Sequence, residues 1–261
     1  MRIALSQFSP VLGNVESNLK TIYDFAQNAK EANAELLCLP ELCTTGFSYD
    51  KIECLKTMIV SSLETIKKIS KQYNIAICGS FLCNNKHGNF TNTFLYFDAN
   101  GYIIGRYNKI HLFKPMGEDR YFEAGNDIIT FRDGNTHIGC SICYDLRFPE
   151  LFRKCASAGA QLQILAAAFP FPRLSHWRTL LKARAMENQN FIIATNQCGH
   201  ACVVSEETDF CGHSMIVHPS GEILYEAGEV PEFFCFDIKL SDIQDVRNDM
   251  DCLRDLRSEL Y

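Results

Sequence analysis

Cys143 stands where an apolar run breaks off. In the segment HIGCSICYDLRFPE (137–150), His137 to Ile142 reads as a short buried strand, Cys143 and Tyr144 close it, and Leu146 to Cys155 reads as an amphipathic helix. A thiol on a sharp strand-to-helix turn is held clear of its neighbours. It also faces the amide groups and positive end of the helix, which would lower its pKa and sharpen it as a nucleophile. Taken alone, the position also allows a plainer reading, the small buried apolar side chain that most free cysteines are. Two other strand ends repeat the pattern. Leu36-Leu37-Cys38-Leu39-Pro40-Glu41 places a carboxylate directly after an apolar run, and Lys109 ends a strand in GRYNKIHLF. Each could be a strand-end charge reaching solvent, as most charged residues do. An ionised group at the mouth of a buried strand is otherwise costly to desolvate unless it is paired or used. Together the three make a nucleophile, a base and a cation at strand ends, where α/β enzymes assemble their sites.

The elements that must position these residues follow from the hydrophobic pattern. The order begins with a strand over Arg2 to Phe8 and a helix over Val15 to Ala32, with Asn14 as its N-cap. A strand over Leu36 to Leu39 stops at Pro40, and a helix over Leu55 to Tyr73 leads into a strand over Ile75 to Leu82. Thr93 to Asp98 and Tyr102 to Lys109 form a hairpin over Ala99-Asn100-Gly101. Beyond the cysteine elbow come a strand over Leu162 to Ala167, a helix over His176 to Asn188 and a strand over Phe191 to Asn196. A second hairpin joins Ser214 to His218 with Ile223 to Ala227, followed by a strand over Phe233 to Ile238 and a helix from Ser241. Strands thus alternate with helices in places and pair as hairpins elsewhere, which implies mixed sheets. Nearly continuous apolar strands such as LQILAAAF (162–169, interrupted by nothing charged) imply sheets buried on both faces. The expected architecture is α/β: a four-layer α-β-β-α sandwich with two mixed β-sheets, in one domain over residues 1–261.

Composition narrows the function. The net charge is −6, from 25 basic and 31 acidic residues, and no basic cluster offsets it, so a nucleic-acid partner is not expected. No apolar run approaches the roughly 20 residues that span a bilayer. The start, MRIALSQFSP, reads as a first strand and not a signal peptide, so a cytoplasmic protein is expected. Thirteen cysteines are many for that compartment. Cys38, Cys78 and Cys235 lie inside apolar runs and read as reduced core residues. Cys140-Ser141-Ile142-Cys143 is formally a CxxC, but Cys140 falls inside the strand, where a redox pair would open a helix. Cys198, His200, Cys202, Cys211 and His213 gather soft ligands in one segment, yet their spacing fits no familiar closed zinc site. No metal and no other cofactor is expected.

Three segments, LPEL (39–42), KIHL (109–112) and CYDLRFPEL (143–151), resemble the signature segments of the nitrilase, or carbon–nitrogen hydrolase, superfamily. The similarity spans almost the whole chain, through HWRTLLKARAMENQNFIIATN (176–196), GHSMIVHPSGEIL (212–224) and the RSELY ending (257–261), and lapses at Asn248 to Asp255. The CYDLRFPE and HW…ARAMENQ forms are most similar to the ω-amidase-like branch, whose members act on short amides such as 2-oxoglutaramate and 2-oxosuccinamate. The resemblance implies Glu41 as general base, Lys109 as oxyanion stabiliser and Cys143 as nucleophile of a thioester-forming amidase that releases ammonia. It also implies a homodimer paired through the sheet-covering helices. Glu118, in KPMGEDRYF, matches a second family glutamate that supports the lysine, with Glu123 the competing acid nearby.

A dicarboxylate monoamide needs a cation for its far carboxylate, preferably a planar one. Arg173 and Arg147 are the candidates; for Arg147 an ion pair with Asp145 or Glu150 is the competing role. The backbone amide of Tyr144 would join Lys109 in holding the oxyanion, and Phe47 and Phe169 would wall the substrate. The rival functions are hydrolysis of an N-carbamyl amino acid, an aliphatic amide or a nitrile, and a non-catalytic interaction module. Replacing Cys143 discriminates between enzyme and module. Cys143→Ala and Cys143→Ser are expected to abolish amide hydrolysis while the thermal unfolding curve stays cooperative; near-normal ammonia release by Cys143→Ala would overturn the nucleophile assignment.

Overall fold

Strands that are apolar on both faces need cover on both, and this chain provides it by packing two sheets against each other and helices on the outside. The computed structural model describes residues 1–203 and 206–260; Tyr261, the last residue of the RSELY segment, lies outside them. The chain opens with β1 (Arg2–Gln7), α1 (Val15–Glu31), β2 (Leu36–Cys38), the single turn α2 (Ile52–Leu55) and α3 (Ile59–Tyr73). Next come β3 (Ala76–Asn84), β4 (Phe90–Phe97), β5 (Ile103–Asn108), β6 (Thr130–Asp133) and β7 (Thr136–Ile142). α4 (Pro149–Ser157), β8 (Leu162–Ala167), α5 (Leu174–Asn188) and β9 (Phe191–Asn196) follow the elbow. β10 (Cys198–Val203) pairs with β11 (Glu206–Cys211) as a ribbon, and β12 (Met215–Val217), β13 (Ile223–Glu226), β14 (Glu232–Asp237) and α6 (Asp242–Asp249) close the fold.

The two large sheets are built alike. The first has the order β14-β1-β2-β3-β4-β5 and the second β13-β12-β9-β8-β7-β6. Each has a parallel centre, β1-β2-β3 or β7-β8-β9, extended by antiparallel strands at both edges. This is the expected α-β-β-α sandwich of two mixed sheets.

The alternation of strand side chains explains why the apolar runs lack a polar face. On the first sheet Ile3, Leu5, Leu36, Cys38, Ala76 and Cys78 turn inward and pack with Ile138, Cys140, Ile164 and Ile193 of the second. Their neighbours Ala4, Leu37 and Ile77 turn outward against Ile22, Ala26 and Ala29 of α1 and Ile66 and Ile69 of α3. Phe152 of α4 and Trp177, Leu181 and Ala185 of α5 cover the second sheet in the same way. Asn14 caps α1 as expected, its side chain accepting from the Ser17 amide at 3.0 Å.

Three local expectations change. The elbow helix starts at Pro149, because residues 143–147 wind as a tighter 3-10 turn before it. The edge strand β6 is half-exposed and too short to show a period, so its pattern did not mark it as a strand. The segment rich in cysteine and histidine is the β10–β11 ribbon, in which Cys198 and Cys211 face each other as buried partners.

β3 runs so close to the segment after β2 that a side chain at Gly79 would meet Leu39, with an added Cβ 2.7 Å from the Leu39 Cβ. Gly79→Ala is therefore expected to lower Tm by about 2–12 °C, since overpacking costs about 1–3 kcal/mol and each kcal/mol is worth about 2–4 °C at this length. An unchanged Tm by circular dichroism would show that Leu39 and the Glu41 turn can shift freely.

Candidate active site

Lys109 and Cys143 follow directly on β5 and β7, Glu41 stands three residues after β2, and the sandwich brings those three ends into one cleft. Glu118, from a 3-10 turn over Glu118–Arg120, enters from the side. The cleft is lined by these four residues together with Phe47, Tyr49, Phe113, Met116, Tyr144, Arg147, Phe169 and Arg173, among others. Lys109 is 2% exposed and Glu41 and Glu118 are each 1% exposed, so the three are charged groups inside the protein. The Lys109 ammonium donates to Glu41 Oε1 at 2.8 Å and to both oxygens of Glu118 at 2.9 and 2.8 Å. Glu118 Oε2 also accepts from the Phe113 amide at 2.6 Å. Glu41 Oε2 has no hydrogen-bond partner among the described protein atoms, and the Glu41 carboxyl lies beside the Cys143 thiol. Glu123, by contrast, is exposed and bonded to Asn89.

Electrostatics sets the resting protonation. Burial raises the Glu41 carboxyl, Lys109 pulls it back, Glu118 raises it again, and the net shift is upward. Burial alone would pull the Lys109 ammonium down, but Glu118 and Glu41 outweigh it and hold the lysine well above its ordinary value. Burial also pushes the Cys143 thiol well up, with the Glu41 charge adding to the rise while Lys109 and the Ala168 amide oppose it. This reverses the expected lowering. Cys143 keeps a partly exposed surface at the cleft floor, yet its surroundings desolvate it, and the long helix that would have stabilised a thiolate begins six residues later. The thiol is therefore neutral at rest beside an unusually basic carboxylate.

The elbow itself is strained. Cys143 has φ +44° and Leu42, next to Glu41, has φ +43°, a region costly for side chains other than glycine. Asp145 holds the elbow in place. Its Oδ2 accepts from the Ile142 amide at 2.9 Å and the Tyr107 hydroxyl at 2.7 Å, and its Oδ1 accepts from the His111 amide at 3.1 Å. Asp145 thus ties the Cys143 turn to the strand and loop that carry Lys109. Asn92 plays a similar part on the other side, donating to Glu41 Oε1 at 2.8 Å and Glu118 Oε1 at 3.1 Å. The sequence reading missed Asn92, Tyr107 and the Asp145 network. The one signal for Asn92 was a polar residue in the middle of an otherwise aromatic and apolar strand, FTNTFLYF (90–97).

The residues expected to bind substrate all reach the cleft. Phe47 stacks on Phe210 of the ribbon at 5.9 Å, and Phe169 packs on Trp177 at 5.2 Å. Tyr144 meets Phe113 edge-on at 5.0 Å. Arg147 forms no ion pair with Asp145, which is engaged elsewhere, or with Glu150; it lies 5.4 Å over the Phe169 ring and bonds His176 at 3.3 Å. Arg173 lies 5.8 Å over Phe113. Among the described residues neither guanidinium is paired with a carboxylate. The soft ligands of 198–213 do not gather: His200 sits between Glu207 and Asp209, while His213 pairs with Glu226 at 2.7 Å. Among the described residues no group of three His, Cys, Asp or Glu side chains is placed to hold a metal ion.

A two-sheet sandwich with an acid, a cation and a thiol at its strand ends matches a known family. The chain belongs to the carbon–nitrogen hydrolase family, whose model matches residues 2–248. It is 34% identical over 260 residues to a 2-oxoglutaramate amidase of Bacillus subtilis, covering 99% of this chain and 98% of the relative. It is 33% identical over 279 residues to a deaminated glutathione amidase of Dictyostelium discoideum, covering 99% and 91%. Its fold superposes at a TM-score of 0.89, with 29% identity and 100% and 98% coverage, on a variant amidase from Nesterenkonia sp. AN1 that shows Michael addition of acrylamide at its active site cysteine.

The upward shift of Glu41 has a kinetic consequence. Any reaction in which Glu41 must be ionised to take a proton runs above its raised pKa and is lost as pH falls through it. The acid limb of kcat/KM for amide hydrolysis is therefore expected above the ordinary glutamate range; a limb within or below that range would count against such a use of Glu41.

Proposed function

We propose that this carbon–nitrogen hydrolase is an ω-amidase, cleaving the amide of a short dicarboxylate monoamide such as 2-oxoglutaramate through a thioester on Cys143. The observation that carries the substrate class is the pair of half-buried arginines, Arg147 and Arg173, without carboxylate partners at the mouth of a cleft floored by Cys143. Two such cations offer a planar donor set to the far carboxylate of an anionic substrate. The 34% identity to a 2-oxoglutaramate amidase points the same way.

In this reading the amide carbon meets Cys143 Sγ, and Glu41 Oε2 takes the thiol proton as the C–S bond forms. The Lys109 ammonium has three donors; one serves Glu41 and a second is shared between the two oxygens of Glu118, leaving one for the oxyanion beside the Tyr144 backbone amide. Protonated Glu41 then gives its proton to the leaving nitrogen, the C–N bond breaks and ammonia departs. A water enters, Glu41 takes its proton, and the hydroxide attacks the thioester. Collapse of that intermediate breaks the C–S bond, releases the carboxylic acid and returns the proton to sulfur. Glu118 touches no reacting atom in this scheme and holds Lys109 in place. Phe47 and Phe169 wall the substrate chain.

We read residues 1–261 as one catalytic domain, because a single core cluster draws on both sheets. We also propose a cytoplasmic homodimer without a cofactor. Every cysteine is unpaired, which suits a reducing compartment, and among the described residues no helix is long and apolar enough to cross a membrane. Met186, 54% exposed on the sheet-covering α5, is an apolar side chain that a partner subunit would bury.

The test is ammonia release across 2-oxoglutaramate, deaminated glutathione, N-carbamyl-alanine, a neutral aliphatic amide and a nitrile, with wild type and Arg173→Ala. 2-Oxoglutaramate is expected to give the highest kcat/KM. Arg173→Ala should raise its KM by about 10- to 100-fold, the worth of a hydrogen bond to a charged group, and leave the neutral amide little affected. Preference for the nitrile or the neutral amide, or an unchanged KM for 2-oxoglutaramate in Arg173→Ala, would sink the assignment.

A further inference from the structure

Glu41 is held asymmetrically. Its Oε1 accepts two hydrogen bonds, from Lys109 and Asn92 at 2.8 Å each, while its Oε2 accepts none from the described protein atoms. A carboxylate pinned by one oxygen holds the other in a fixed direction, and the Cys143 thiol lies beside this carboxyl. Lysine alone would not fix that direction, because its ammonium also follows both oxygens of Glu118. The planar amide of Asn92 would.

The orientation of that amide is settled by donor and acceptor counting. The Leu42 amide has only a proton to give, and it donates to Ser80 Oγ at 2.9 Å. Ser80 must therefore direct its single proton elsewhere, and Asn92 Oδ1 lies 2.7 Å away. With Oδ1 committed to Ser80, the two N–H bonds of Asn92 face the carboxylates, one to Glu41 and one to Glu118. The backbone carbonyl of Asn92 also accepts from the Lys109 amide at 2.9 Å. One buried residue thus touches the base, the second glutamate and the lysine strand, and reaches the Leu42 turn through Ser80.

We propose that Asn92, oriented by Ser80, is a positioning residue that aims the free oxygen of Glu41 at the Cys143 thiol. The proposal rests on the reading of Glu41 as the base. The groups facing Glu41 are Lys109 beyond β5, Glu118 in its 3-10 turn, Cys143 at the elbow and the Tyr49 phenol. Replacing the Asn92 amide by a carboxylate removes both donors and sets a third acid against this group. Ionised Glu41 is then less favoured.

The experiment measures kcat, KM and the pH profile of kcat/KM on 2-oxoglutaramate, or on whichever amide the wild type turns over best, for wild type, Glu41→Gln, Asn92→Asp and Ser80→Ala. In Asn92→Asp, kcat is expected to fall about 10- to 100-fold, the scale of a hydrogen bond to a charged group, with KM within about threefold. Its acid limb should move to higher pH. Ser80→Ala frees the amide to turn over and should lower kcat in the same direction by a smaller factor, with a lower Tm but a native circular dichroism spectrum, which keeps the test open where Asn92→Asp fails to fold. Turnover retained by Glu41→Gln would remove the base reading itself. An inactive Glu41→Gln beside wild-type kcat in Ser80→Ala, or beside an unmoved acid limb in a folded Asn92→Asp, would overturn the positioning role alone.

Discussion

The contact on which the site depends is the buried bridge from Lys109 to Glu41 and Glu118. One cation and two carboxylates lie almost fully out of water, an arrangement that is stable only when every charge has close partners. The ammonium meets three carboxylate oxygens within 2.9 Å, and Asn92 and the Phe113 amide supply the remaining donors. Removing any partner leaves a charge stranded in a low-dielectric interior. This requirement fixes which strand ends must meet. Glu41 and Lys109 belong to the first sheet and Cys143 to the second, so the reaction geometry is set by how the sheets pack. Two cross-sheet bonds mark the junction: the Glu41 amide donates to the Ala167 carbonyl at 3.3 Å, and Gln197 donates to the Glu41 carbonyl at 2.6 Å.

The strained turns belong to the same logic. Positive φ occurs at Cys143 and at Leu42, next to Glu41, the two turns from opposite sheets whose side chains meet in the cleft. Such conformations persist only where surrounding contacts over-determine them. Ser80 does this for the Leu42 turn and Asp145 for the Cys143 turn. Each is a buried polar side chain that satisfies a backbone amide at the turn and is itself tied to the lysine's neighbourhood, through Asn92 in one case and Tyr107 and His111 in the other.

How much of this was legible depended on whether the cause is local. Glu41, Lys109 and Cys143 could be picked out because a reactive or charged residue directly after an apolar strand is itself a local anomaly. The two-sheet sandwich was legible for a related reason: strands without a polar face must be covered twice. Glu118 and Glu123 share one loop and one chemistry, and only burial tells them apart. Asn92 looks in sequence like any polar interruption of a strand. The thiol shift was misjudged because its sign depends on depth of burial, which outweighs a helix end that turned out to be distant. Arg147 was read toward Asp145 for the same reason, since sequence proximity said nothing of the bonds already claimed by Tyr107 and His111. The cysteines and histidines of the ribbon resemble ligands in sequence, and it is position along the ribbon that separates them: Cys198 and Cys211 pair at its buried base, while Cys202, opposite Glu207 toward the far end, is exposed.

The division of labour between core and rim bears on how substrate choice is built. Glu41, Lys109 and Glu118 are fixed by buried segments and by hydrogen bonds that leave few of their atoms free. Arg173 sits between β8 and α5, and Arg147 on the 3-10 turn of the elbow; each is held over an aromatic ring and not by an ion pair. A guanidinium seated on a ring keeps its N–H fork unspent, so a substrate carboxylate need not displace a protein carboxylate to bind. The ring beneath Arg173 is Phe113, whose backbone amide holds Glu118. The cation that would choose the substrate and the acid that holds the lysine are therefore both in contact with one residue, the first through its ring and the second through its backbone amide.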